Sequence, residues 1–195
     1  VTPVSVSGET QIESATQFRD KRRYFWLTQP FLPLLPTLSC WMAVEFESGV
    51  FHWLTAIFWF GLVALLDELL PKDSNNPPID VHLDLEKDSY YGKVIFLAIP
   101  FYLVNFVTVC TFIANYKLTF IDYAGITVSM GIVSGLALAV GHEFGHKTSY
   151  RERTIGKIFL AIAGVGQFMA SHATRHHVLV ATPDDHASSR MGETL

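Results

Sequence analysis

The chain has 195 residues, enough for one domain; half of them are apolar and only 16% are charged, against about a quarter in soluble domains. A mean hydropathy of +0.30 points to lipid, and a net charge of −4 with no basic patch interleaved with aromatics argues against a nucleic-acid partner. Cys40 and Cys110 sit inside apolar runs and make neither a CxxC pair nor a zinc ribbon, so both read as small buried hydrophobes.

In chain order, residues 1–23 are polar and lack the apolar core of a cleavable signal peptide. A membrane span needs roughly 20 apolar residues, and four windows qualify: residues 24–44, 50–66, 94–114 and 120–141. The first is interrupted by Pro30, Pro33 and Pro36, breaks that a bundle tolerates when neighbouring helices satisfy the freed carbonyls. The fourth carries Gly125, Ser129, Gly131, Ser134 and Gly135, small residues that let helices approach closely in lipid. Asn105, in the middle of the third window, is expected to make an interhelical hydrogen bond. The fold class is therefore all-α: a polytopic transmembrane helix bundle with four spans. A fifth apolar stretch, residues 155–171, is borderline in length and is expected as a short interfacial helix.

Basic residues set the orientation. Arg19, Lys21, Arg22 and Arg23 precede the first span; Lys72, Lys87 and Lys93 lie in the acidic, Pro- and Asn-containing loop after the second; Lys147, Arg151, Arg153 and Lys157 follow the fourth. The opposite side collects Lys117 alone. The N-terminus, the 71–93 loop and everything from His142 onward are thus expected on the cytoplasmic face of the cell's inner membrane.

Five of the eight histidines fall in two clusters on that face. The first is Gly141-His142-Glu143-Phe144-Gly145-His146-Lys147, the second His172-Ala173-Thr174-Arg175-His176-His177. His142 and His146 are four apart, which on a helix puts both imidazoles on one face, one turn apart. His172 and His176 repeat that spacing, and His177 adds a neighbouring donor. The intervening 147–171 stretch is long enough to fold the second cluster back onto the first. Metal ligation is the reading that uses all five.

Imidazole suits zinc, copper, iron and nickel alike. The first cluster also satisfies H-E-x-x-H, in which Glu143 would be the general base of an intramembrane zinc protease. Such a site needs about three protein ligands and an open position, and five imidazoles suggest two ions. Glu143 could otherwise orient an imidazole or cap the helix end. A nonenzymatic membrane protein that binds metal adventitiously is the third reading. His52, His82 and His186 read as structural or solvated. Trp53, Trp59 and Phe60 suit an aromatic belt or packing more readily than a channel lining.

At the two histidine clusters the chain resembles the membrane-bound alkane 1-monooxygenases, relatives of xylene monooxygenase and the membrane fatty-acid desaturases, which carry three histidine boxes. The 141–147 segment resembles the first box. The second box and its continuation are matched by His172 to His177 followed by Val178-Leu179-Val180-Ala181-Thr182-Pro183-Asp184-Asp185-His186-Ala187-Ser188-Ser189-Arg190. That continuation favours alkane hydroxylase over desaturase or xylene monooxygenase. Phe18-Arg19-Asp20-Lys21-Arg22-Arg23-Tyr24, Leu65-Leu66-Asp67 and Lys72-Asp73-Ser74-Asn75-Asn76-Pro77-Pro78 resemble the family's N-terminal segment and second-span exit.

The resemblance implies a polar N-terminal segment (1–23) and a membrane hydroxylase domain (24–195), C-terminally truncated and inactive by itself because two further spans and a third box follow in the family. It also implies two nonheme irons held by His142, His146, His172, His176 and His177, with O2 as co-substrate. Electrons would come from rubredoxin, itself reduced by rubredoxin reductase and NADH. The substrate would be an alkane drawn from the membrane lipid and hydroxylated at its end. Four positions depart from the family pattern: Gln167 for His, Ser171 for Glu, Arg175 for Gly and His186 for Pro. Arg175 is the weightiest, since a cation beside the metals opposes their charge and its bulk can shift the loop.

Overall fold

The computed structural model of the chain describes residues 20–71, 77 and 79–193. Most of the polar N-terminal segment, and the 72–76 and 78 portion of the acidic loop with the motif read there, lie outside the described residues. Within them the fold is helical, without a strand. The helices are α1 (Leu35–Glu45), α2 (Gly49–Leu69), α3 (His82–Lys87), α4 (Ser89–Asn115), α5 (Phe120–Gly145), α6 (Tyr150–Ile162) and α7, which runs through Phe168–Ser171, His172–His176 and His177–Leu179. Three of them, α2, α4 and α5, are long and apolar enough to cross a membrane, and the chain is a membrane protein of helical-bundle type.

The predicted first span is not among those three. Residues Arg23–Leu34 form a 3₁₀-helix that leads into α1. The reason is the proline spacing. Proline has no N–H and its ring clashes with the carbonyl four residues back, so an α-helix cannot run smoothly through Pro30, Pro33 and Pro36. A 3₁₀-helix has three residues per turn, which puts Pro30 and Pro33 in one row; Pro36 follows in the first turn of α1, where a missing N–H costs nothing, and all three are buried. They lie against α4, where Phe31 meets Phe101 at 4.8 Å. Asn105 of α4, 1% exposed, accepts from both the backbone N–H (3.1 Å) and the hydroxyl (2.8 Å) of Thr37. Thr37 is in the first turn of α1, where backbone donors lack helical partners. The expected interhelical bond of Asn105 therefore satisfies an orphaned helix end.

The chain enters α4 through Asp88, whose carboxylate accepts from the Tyr90 N–H at 2.9 Å. The Tyr90 hydroxyl donates to the Arg23 carbonyl, and Tyr91 donates to Asp20. These bonds strap the start of the described chain to the start of α4. Both line one cavity of about 820 Å³ with Glu143 and Lys147 from the end of α5. The segments read as same-sided from their charges thus meet at one end of the bundle.

Helix α5 opens with a capping box: Thr119 and Asp122 each accept a backbone N–H from the other. Its buried face is a ladder of positions four apart, Gly125, Ser129, Val133, Ala137 and Gly141. Gly125 and Ser129 receive α2: a Cβ on Gly125 would stand 2.9 Å from Trp53 Nε1, and the Ser129 hydroxyl donates to the His52 carbonyl at 2.8 Å. His52 is buried in this contact, as a structural histidine. Gly131 and Gly135 meet nothing within 4 Å, so the expected close approach occurs at two of the small residues and not at these. Cys40 is buried as expected, whereas Cys110 is exposed.

Further along, α6 folds back on the ladder. A Cβ on Gly141 would lie 2.9 Å from the Gly156 carbonyl oxygen and 2.8 Å from Leu160 Cγ, and a Cβ on Gly156 would lie 2.9 Å from the Gly141 carbonyl oxygen. Phe159 and Leu160 are wholly buried beside this crossing, with Phe159 edge-on to Tyr102 at 5.4 Å. The interfacial helix expected over residues 155–171 is corrected at both ends: it starts at Tyr150 and stops at Ile162. Gly164, at φ +80°, ends it. The Val165 N–H bonds to the Leu160 carbonyl and the Gly164 N–H to the Ala161 carbonyl, the paired bonds of a Schellman stop. At 13 residues, α6 reaches about 20 Å at the α-helical rise, short of the hydrocarbon thickness.

Gly156→Ala is expected to lower the stability of the detergent-solubilised chain by about 1–3 kcal/mol, the usual cost of overpacking. Gly135→Ala, in open space, is expected to leave it level or slightly raised. Thermal melts of the two variants check this.

Candidate metal centre

Three local features bring the histidines together. The end of α5 presents His142 and His146 one turn apart. The Gly141–Gly156 crossing holds α6 against that end, and the Gly164 stop turns the chain back so that α7 lies over it. Met169 then seats on Gly145, where a Cβ would collide with the Met169 sulfur. Phe168 stacks on His172 at 4.3 Å and stands edge-on to His142 at 5.8 Å.

One ligand nitrogen from each of His142, His146, His172 and His177 lies within 4.8 Å of the others. The Nε2–Nε2 separations are 2.6 Å for His142–His172, 3.0 Å for His142–His146 and 3.0 Å for His172–His177. Hydrogen bonds alone do not account for this chain of contacts. Each neutral ring has one proton, so any alternation of donor and acceptor along the four Nε2 atoms leaves one proton shared between two acceptors. Ligation of a common ion does account for it: nitrogens about 2.0–2.1 Å from an ion and at right angles lie about 3 Å apart. The donor set and its spacing fit a divalent transition metal.

The pairing within the second cluster differs from the spacing rule. His172–His176 is a π-helical turn, closed by the His177 N–H on the His172 carbonyl. A π turn brings residues five apart onto one face, so His177 joins His172 in the four-nitrogen group. His176 is turned aside. Its ring stays close, 5.2 Å from His172 and 5.5 Å from His177, and its Nδ1 lies 2.8 Å from Asp185 Oδ2. Asp185 is a buried carboxylate that sequence reasoning missed; its nearest signal is a place in the segment after the second cluster. The Ser188 hydroxyl, the Ala187 N–H and His176 all donate to it and hold its carboxyl below the usual carboxylate range. An ionised carboxylate only accepts, so His176 carries its proton on Nδ1.

Two of the rings, His146 and His172, sit where protonation is disfavoured. Burial, then repulsion from His142, His177, His146 and His176, pushes His172 down to about 4; burial and repulsion from His142 and His177 lower His146, with Glu143 opposing. Neutral imidazole is the form that ligates metal. Glu143 is mostly exposed, and its carboxylate pairs with Lys147 Nζ at 3.3 Å. It lies outside the four-nitrogen group. His82 bonds to the Pro77 carbonyl and His186 meets Arg175; neither enters the cluster. Arg175 directs Nη2 to within 3.4 Å of His186 Nε2, and Ser171, Arg175 and His186 line one small cavity of about 170 Å³. Three of the four family departures are thus neighbours in space.

In the metal-free chain, the unfolded histidines titrate near their ordinary 6.5, while His172 resists protonation down to about 4. Between those values the unfolded chain binds more protons, so stability is expected to fall as pH drops from 6.5 toward 4. Melts across that window, with His172→Asn expected to flatten the slope, check it.

No family model matches the chain. It is 38% identical over 191 residues to the alkane 1-monooxygenase of Pseudomonas putida, covering 97% of this chain and 48% of that protein. Against the alkane 1-monooxygenase of Ectopseudomonas oleovorans the identity is 37% over 184 residues, 94% of this chain and 46% of the relative. Alkane 1-monooxygenase 1 of Alcanivorax borkumensis is 35% identical over 176 residues, 90% and 44% respectively. The chain spans about half the length of these curated relatives. Across that stretch, which carries the apolar helices and the convergent imidazoles, it is similar to the alkane 1-monooxygenases.

Proposed function

We propose that the chain supplies the first two histidine boxes of a nonheme diiron alkane hydroxylase, which converts an alkane and O2 to a 1-alkanol and water with two electrons and two protons. The observation that carries this reading is the convergence of His142, His146, His172 and His177 at the end of an apolar helix, with His176 beside them. The name of the relatives gives the substrate class.

The four-nitrogen group would hold one ion, and His176 would offer Nε2 to a second. Bound irons would supply O2 activation. The residues of this chain do the rest. Burial and mutual repulsion keep His146 and His172 neutral and ready to ligate. Phe168 stacks an apolar face on His172 and sets its ring edge-on to His142, which shields the buried side of the site from water. The helices leave many large apolar side chains exposed, among them Leu62, Leu65, Leu97 and Val107; these suit lipid, where an alkane partitions. Further ligands would come from the half of the relatives' length that the chain does not span. The site would face the cytoplasm at the inner membrane, where basic residues gather and a soluble donor of the rubredoxin type, reduced by its reductase and NADH, would reach it.

Metal analysis and turnover of the full-length protein test this. About two irons per chain and alkanol formation with rubredoxin supplied are expected; one zinc per chain with peptide cleavage would overturn the reading. The double variant His176→Ala/His177→Ala is expected to lose hydroxylation entirely, and retained turnover would refute the ligand assignment.

A further inference from the structure

The segment after the second histidine cluster is exposed along most of its length, yet it is folded around one buried group. Ala181 adopts φ +65°, an uncommon conformation for a residue with a side chain, and donates its N–H to Ser188 Oγ at 3.3 Å. The Thr182 N–H bonds back to Leu179, the Asp185 N–H to Thr182, and the Arg190 guanidinium to the Pro183 carbonyl at 2.8 Å. At the centre is the Asp185 carboxylate, with a side chain only 3% exposed. It accepts from three donors: Ser188 Oγ, the Ala187 N–H at 3.1 Å and His176 Nδ1 at 2.8 Å. Two of these come from the loop itself. The third is the one clustered histidine whose nitrogens lie outside the four-nitrogen group.

We infer that Asp185 is a positioning residue: it locks His176 in the Nδ1–H tautomer and aims Nε2, on the far side of the ring, at a second metal ion beside the four-nitrogen group. The 181–190 loop is then a cradle for that carboxylate. The physical logic is that of a carboxylate–histidine–metal relay, in which the partner of the outer nitrogen fixes ring orientation and raises ligand basicity. The π turn completes it. By moving His177 into the place the helical spacing would give His176, it frees His176 to face Asp185. This inference rests on the two-ion reading above.

The test is a Co2+ titration of the full-length, metal-stripped protein, following the Co2+ absorption bands and the bound ions per chain. Two ions are expected for the unaltered protein. Asp185→Ala is expected to weaken the second ion by about 10–100-fold, as loss of such a partner does, and to leave the first within a few-fold. Asp185→Glu should restore part of the loss. On a His176→Ala background, Asp185→Ala should cause no further weakening, because the two residues act through one ligand bond. If Asp185→Ala fails to fold, Asp185→Asn, of equal size, is titrated instead and is expected to weaken the second ion selectively. Equal weakening of both ions, or unchanged affinity for both, would overturn the inference. A single ion in the unaltered protein would instead overturn the two-ion reading itself.

Discussion

The close approach of Gly141 and Gly156 is the contact on which the rest of the site depends. Each glycine fills the space where the other's Cβ would collide with a backbone carbonyl. In lipid, helices gain little from apolar burial against one another and associate through close packing instead. Here that packing falls next to His142 in sequence. It fixes the last turn of α5, which carries the first histidine pair, and the start of the return path that delivers the second. Ser129 and Gly125 repeat the device farther down the same face of α5, where α2 is received. One ladder of small residues thus organises both ends of the helix.

The candidate centre itself is assembled from departures from regular helix. A Schellman stop at Gly164 reverses the chain, a π turn resets which imidazoles share a face, and a left-handed residue at Ala181 closes the loop behind His176. Irregular backbone of this kind is costly unless its polar groups find partners, and here the partners are present. Imidazoles crowd together where two of them, His146 and His172, have a lowered affinity for protons, so the site is arranged for an ion and not for a cluster of imidazolium charges.

Much of this was legible in the residues. Long apolar windows located α2, α4 and α5, because an uninterrupted 20-residue run has few alternatives. The two histidine clusters announced a shared site through spacing and number. What failed was local. A four-residue interval suggested His172 with His176, and only the observed backbone shows that a five-residue turn selects His177. The stretch over residues 155–171 looked like one helix because hydropathy does not register a left-handed glycine. Asp185 drew no attention because an aspartate beside a proline and turn formers is ordinarily solvated, and its burial follows from a fold-back that composition does not encode. Arg175 and His186, each disquieting alone, turn out to lie against each other.

The row of prolines has a consequence for length. A 3₁₀-helix advances about 2.0 Å per residue against 1.5 Å in an α-helix, so Arg23–Leu34 and α1 together reach about 40 Å, more than the roughly 30 Å depth of hydrocarbon. Per residue, a 3₁₀ stretch gains more length along its axis than a regular helix does. A tally of long α-helices passes it by.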